Sequence, residues 1–368
     1  MFLPVYLAMD FGAWSFLVFA IPNVIGAAAV PFLLTSTDAV HTFTIRHHGA
    51  VRAFAWATIL LHVVFLTGFM PSGSLPLDLA VGAVALVTAC VVGLAPRPRA
   101  TIIAVGVWAL SIGLAIAANL TAPAGETFSL PPTTGAFGPA TLAMAAPAIV
   151  MGFLLCPILD GTFLATREFH GRATPRIFVL AFSLLFPVLI LLTLGYAGRL
   201  IRHDSMSWFT YAHLAVQSGF TVGVQVWALR WIRQVRAEAG SPVHAPALLW
   251  SGRLLLAIAG AAFGAAMFAQ AFGITPNRTM TPQRFGYDLM LSMYGLVFPA
   301  YLLAIAVPGA LGRRGSVWAL LAVLVVAGSL YWHGAIGREY WAIPVAVAVV
   351  LLAPALARRL PENHREIA

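Results

Sequence analysis

The chain contains no lysine; all 21 of its basic residues are arginine. Charge of either sign is scarce. Only 9% of residues are charged, against about a quarter in a soluble domain. This excludes an ordinary soluble enzyme, and no tract is long or polar enough to form a separate soluble domain. Cysteine is nearly absent. Cys90 and Cys156 lie in apolar segments with no CxxC or Cys/His spacing, which excludes a disulfide framework and a zinc site. The net charge is +9, but its arginines sit in short connectors rather than on a solvated basic face, which argues against nucleic acid as a partner. The opening "MFLPVYLAMDFGAWS" lacks a basic start and a small-residue cleavage site. It predicts a retained helix rather than a signal peptide.

Apolar residues make up 61% of the chain. A bilayer core takes about 20 apolar residues per helix. Candidate spans fall near 12–34, 51–70, 75–95, 101–121, 139–159, 176–198, 208–230, 248–271, 284–308, 317–332 and 341–356. The expectation is an all-α integral membrane protein of about eleven helices, residues 1–368 forming one multi-pass unit in the lipid bilayer. Sixteen arginines collect on one side of these spans. Only Arg199, Arg202, Arg278, Arg284 and Arg338 fall on the other. Arginine-rich connectors mark the cytoplasmic face. A bacterial inner membrane is therefore expected, with the N-terminus outside and the C-terminus cytoplasmic. The run 37–50, "TDAVHTFTIRHHGA", reads as a cytoplasmic extension of the second helix.

Several spans contain helix breakers. The first carries "FAIPNVIGAAAVP", in which Pro22 and Asn23 precede Gly26. Proline removes a helix hydrogen bond, and an asparagine amide needs a partner that lipid does not supply. The fifth reads "APAIVMGFLLCPILDGTF", the sixth holds Pro187, and the ninth holds Gly295 and Pro299. Breaks at membrane depth persist only where protein or a cavity satisfies the freed backbone. They point to half-helix junctions of the kind that bind solutes and ions. The alternative is a simple kink. Pro22, Asn23 and Gly26 are accordingly candidate solute- or ion-binding residues.

The seventh span, "WFTYAHLAVQSGFTVGVQVWALRW", sets His213, Gln217, Thr221 and Gln225 four residues apart. Each step drifts by about 40°, so the four share one face. Such a stripe faces the bundle interior or water. It either lines a path or holds helices together through hydrogen bonds. In the ninth span Asp288, Ser292, Gly295 and Pro299 share a face. Asp288 is a candidate for binding a cation or carrying a proton, with Ser292 beside it. His62, central in the second span, is a candidate proton relay. Haem b requires a second facing histidine, for which His213 is the candidate. Asp10, Asp38 and Asp160 lie near span ends and read as interfacial. No metal site is expected, and no cofactor beyond a coupling sodium ion or proton.

The segment "RAFAWATILLHVVF" (52–65) looks like the arginine-to-histidine helix of the membrane acyltransferase-3 family, in which the histidine is implicated in acyl transfer. It lies here in the second span rather than the first. The broken first helix "PNVIGAA", central prolines in helices one and six, and a ten-plus-one helix count resemble carriers of the leucine-transporter fold, including sodium:solute symporter relatives. That resemblance implies a five-plus-five inverted repeat, with 10–165 and 170–332 as the repeats and 341–356 as an extra helix. It implies alternating access, coupled to sodium or protons, for a small polar solute. The first core helix of that fold usually starts in the cytoplasm, whereas the arginine pattern starts this one outside. The leading expectation is a secondary transporter rather than an enzyme. The alternatives are a membrane-embedded transferase using His62 and a non-transporting sensor or subunit of a membrane complex.

Overall fold

A computed structural model of the protein describes residues 2–68, 74–122, 128, 130–133, 135–202, 206–240, 282–307 and 314–359. The expected eighth span, 248–271, lies outside the described residues. Those described are almost wholly helical, with no strand among them. Among the described residues, eight helical stretches, some running through a 3₁₀ or π-turn, are long and apolar enough to cross a membrane. The protein is a multi-pass, all-α membrane protein.

A short buried helix, α1 (Phe2–Phe11), precedes the first long one. The apolar-run reading does not separate it, because the whole stretch from residue 2 is greasy. A turn at Gly12–Trp14 joins it to α2 (Ser15–Leu33). Gly12 holds φ +80, which favours glycine, and a Cβ there would meet the Thr133 carbonyl oxygen at 2.3 Å. The segment before α6 closes over this turn. Ala136 N–H bonds the Met9 carbonyl and Phe137 N–H the Asp10 carbonyl, while Ala13 N–H bonds the Pro132 carbonyl. Beyond the turn α1 folds back along α2, so that Leu3 and Asn23 reach one cavity.

Four helices follow: α3 (Thr37–Gly68), α4 (Leu75–Gly93), α5 (Arg97–Leu120) and α6 (Gly138–Leu155). Near residue 47 the regular geometry of α3 lapses, at His47 with φ −109 and ψ 17. After α6 comes a single 3₁₀ turn, Cys156–Leu159, and then α7 (Gly161–His170). The remaining described helices are α8 (Thr174–Leu180), α9 (Phe186–Arg202), α10 (Trp208–Glu238), α11 (Pro282–Ser292), α12 (Phe298–Tyr301), α13 (Arg314–Tyr331), α14 (Ala342–Leu351) and α15 (Ala353–Arg359). Widened π-turns at Ala181–Leu185 and Met293–Val297 join α8 to α9 and α11 to α12.

α10 occupies the middle of one half of the bundle, packed on α3, α4 and α5. Its polar stripe keeps it out of the apolar set although it has 31 residues. α6 is clasped between α2 and the π-turn at 293–297. Gly152 makes the second of those contacts possible, since a Cβ there would lie 2.5 Å from the Tyr294 carbonyl oxygen. Small residues at such crossings let helix backbones approach closely.

One expectation is corrected here. α2 runs unbroken through Pro22 and Pro31. Pro22 forfeits the N–H that would meet the Val18 carbonyl, but its φ suits a helix, so it sits within the helix without ending it. The true break in this region is upstream, at Gly12–Trp14. Asp160 follows directly on the candidate span Gly138–Leu159, at the α6–α7 break, and its side chain lines a cavity of the bundle.

Candidate functional site

A cavity of about 220 Å³ lies among α2, α3, the α6–α7 break, α10 and the two π-turns. Its polar lining comes from Asn23 on α2, Thr58 and His62 on α3, Cys156 and Asp160 at the break, Gln217 and Thr221 on α10, and Tyr294 on the second π-turn. Phe19, Phe54, Phe153, Phe163, Phe182 and Phe186 supply aromatic walls. The volume equals that of about seven waters at ~30 Å³ each. That suits a small solute and falls below the ~300–1,000 Å³ of drug-sized sites.

Local chemistry orients each polar group. His62 Nδ1–H donates to the Thr58 carbonyl at 2.7 Å, one helical turn back. The Thr58 hydroxyl pairs with the Tyr294 hydroxyl at 2.7 Å, tying α3 to the π-turn. Cys156 donates its thiol to the Tyr294 carbonyl at 3.3 Å, tying the break to the same turn. Asp160 caps α7. Its Oδ1 accepts from Thr162 N–H at 2.8 Å and from the Thr162 hydroxyl at 2.7 Å. A side-chain oxygen at this position satisfies a helix N–H that has no partner within the helix. Gln225 Nε2 reaches both Asp160 oxygens at 3.2 Å. The Asn23 amide borders the cavity and has no hydrogen bond to the described residues.

The polar stripe of α10 divides between three neighbours. His213 is fully buried and donates from Nδ1 to the Ser111 carbonyl of α5 at 2.7 Å. Gln217 accepts from the Ser111 hydroxyl at 2.7 Å while also bordering the cavity. The Thr221 hydroxyl returns to the Gln217 carbonyl and faces the cavity. Gln225 holds Asp160 from behind. The stripe therefore anchors α5 at one end and organises the cavity at the other.

The remaining expected residues stand elsewhere. Asp288 is buried but does not line the cavity; it pairs with Arg338 at 3.2 Å. Arg338 is a non-glycine residue held at φ +66, a conformation costing about 1–2 kcal/mol. It also bonds the Tyr340 hydroxyl at 3.0 Å and lies over the Phe137 ring. The Ser292 hydroxyl donates to the Asp288 carbonyl within its own helix. Pro22 is buried and does not line the cavity. Gly26 is a packing position, where a Cβ would lie 2.5 Å from the Phe153 carbonyl oxygen. His62 lines the cavity and His213 does not, so they do not form a facing pair across it. No group of three or more His, Cys, Asp or Glu side chains is arranged to hold a metal among the described residues.

Thus Asn23, His62, Gln217 and Thr221 converge, whereas His213, Asp288 and Ser292 do not. Sequence reasoning missed Thr58, Tyr294 and the cavity position of Asp160. A signal for the last was present in Pro157-Ile-Leu-Asp160-Gly161, a stop followed by a capping residue. No protein-family model, curated protein or solved structure matches the chain.

Proposed function

We propose that the protein is a carrier that moves a small polar solute across a bacterial inner membrane by alternating access, coupled to an ion gradient. The observation that carries this reading is the convergence of polar groups from α2, α3, the α6–α7 break, α10 and a π-turn on one small aromatic-walled cavity. Polar and ionisable groups inside a membrane are costly and mark solute and ion pathways by default. Asn23, His62, Gln217 and Thr221 meet the solute in this reading. The position of Asp288 moves the acidic role to Asp160, since an aspartate paired with arginine is already neutralised.

The finer architecture belongs to the same proposal: about eleven spans, a five-plus-five repeat with one extra helix, the start of α2 outside and the C-terminus cytoplasmic. Arginine contacts support the two-sided sorting of the connectors. Arg167 bonds the Leu34 carbonyl at 2.9 Å and also the Thr35 carbonyl, and Arg230 bonds the Gly93 carbonyl at 2.7 Å. All of these belong to the arginine-rich side. Arg199 bonds the Ala118 carbonyl at 2.9 Å, and Arg338 meets Asp288, on the arginine-poor side. Assignment of the rich side to the cytoplasm rests on the arginine excess itself.

The test is uptake into proteoliposomes. A panel of radiolabelled amino acids, nucleobases and monosaccharides is offered under imposed sodium or pH gradients. The carrier reading expects at least one to accumulate, and Asn23→Ala to reduce its uptake at least tenfold. A transferase would instead lose activity with His62→Ala and show no accumulation. A sensor or subunit would show neither activity and would co-purify with partners.

A further inference from the structure

Asp160 and Asp288 are both carboxylates inside the bundle, but they keep different company. Asp288 faces Arg338. Asp160 has no cationic side chain beside it among the described residues, and no arginine lines the cavity. The titratable groups that share its cavity are His62 from α3, Cys156 from the break and Tyr294 from the π-turn; α2 and α10 face it with neutral amides and a hydroxyl.

The donors around Asp160 decide what it can bind. Thr162 N–H, the Thr162 hydroxyl and the Gln225 amide all present hydrogens to it. A hard metal cation requires a shell of oxygens, and these donors would have to turn away before one could form. A proton needs a single lone pair. The donors favour the carboxylate, while withdrawal from water favours the neutral acid. The neutral acid would in turn need an acceptor for its O–H. Gln225 holds one in reserve: its Oε1 is buried with no hydrogen-bond partner among the described residues, and the residue is 2% exposed. A half-turn of that amide exchanges Nε2 for Oε1 in front of Asp160. Gln225 then changes from donor to acceptor as the carboxylate becomes an acid.

The geometry points to Asp160 as the group that takes up and releases the coupling proton, with Gln225 as the partner that reverses its hydrogen bond. This rests on the carrier reading above and names its ion. The proton passes from water to an Asp160 oxygen and returns to water on the opposite side; no other bond is made or broken.

Two measurements on the full-length protein in liposomes test it. Infrared difference spectra taken across a pH series should show the carbonyl stretch of a protonated carboxylic acid. This band should be absent from Asp160→Asn. In Thr162→Val, which removes one donor from the charged form, its midpoint should move to higher pH by about one unit. Counterflow of the radiolabelled panel is measured in the wild type, and accumulation driven by a pH gradient should be lost in Asp160→Asn. A band unchanged in Asp160→Asn overturns the inference. So does accumulation driven equally well by a sodium gradient at uniform pH. Wild-type counterflow with no titrating band overturns this inference alone, whereas a wild type with no counterflow overturns the carrier reading and the coupling role with it.

Discussion

Gly152→Ala tests whether the α6 contact with the 293–297 π-turn is as close as the backbone indicates. The new Cβ would lie 2.5 Å from the Tyr294 carbonyl oxygen, and 3.4 Å is where ordinary contact begins. The two backbones must therefore part by about 0.9 Å, the difference between those values. A backbone atom cannot swing aside as a flexible side chain can. Overpacking of this kind costs about 1–3 kcal/mol. Replacing glycine by alanine inside a helix returns about 0.5–1 kcal/mol through propensity. Gly106→Ala, in the interior of α5, supplies the control, because a Cβ there meets nothing within 4 Å. Propensity is common to the two variants, so their difference isolates the clash at about 1–3 kcal/mol. Thermal unfolding of purified protein in detergent should place Gly106→Ala at or above the wild type and Gly152→Ala a few degrees below it. Tyr294 also holds Thr58 and Cys156, so on the carrier reading proposed above the same variant should also weaken solute uptake. If Gly152→Ala melts at or above Gly106→Ala, the close approach is refuted.

Ser111→Ala removes the hydroxyl that Gln217 accepts from, leaving a buried amide oxygen without its donor. It should lower stability by about 1–3 kcal/mol, read as a drop in melting temperature; unchanged stability would contradict the anchoring role given to that end of α10. Arg338→Ala leaves the buried Asp288 without its arginine. Removing one partner of a buried pair costs about 3–5 kcal/mol, and since Arg338 is 23% exposed the expected loss is about 3 kcal/mol; Asp288→Asn made on that background should recover part of it, and a double-mutant cycle measures how much.

Apolar length makes most spans legible, because a run of about 20 greasy residues has few other fates. The polar face of α10 is legible for a similar reason, since spacing by four fixes direction around a helix. Its division between neighbours is not. The slow angular drift carries His213 toward Ser111 on α5 and Gln225 toward the α6–α7 break, and only the packed bundle shows which helix lies at each depth. Breaks are less legible. Pro22 removes one hydrogen bond, so α2 continues through it. At Cys156–Asp160 a proline, a 3₁₀ turn and an aspartate able to cap a new helix act together, and the helix stops. Which aspartate has no cationic side chain beside it among the described residues is hidden altogether. Arg338 returns to Asp288 from 50 residues further along the chain, and nothing local to either residue announces it.

The prolines of the other broken helices have a different consequence from that of Pro22. Pro187 and Pro299 each follow a π-turn by two residues, after Ala181–Leu185 and Met293–Val297. In each case the residue before the proline gives its N–H to the carbonyl five residues back: Phe186 to Ala181 and Phe298 to Met293. A third π-turn, Leu302–Ala306, stands in the same sequence relation to Pro308, and Val307 N–H bonds the Leu302 carbonyl at 2.8 Å. A proline ring clashes with the carbonyl four residues back and offers it no hydrogen. Widening the preceding turn by one residue shifts that carbonyl away and keeps the ladder satisfied. The extra residue also turns the side chains ahead of it relative to those behind. In the first two turns the second residue, Phe182 or Tyr294, lies five before the proline and lines the cavity. The prolines thus act on the site at a distance, by setting where an aromatic wall and the hydroxyl paired with Thr58 point. This accounts for π-bulges at functional positions in helices that the apolar pattern presents as uninterrupted.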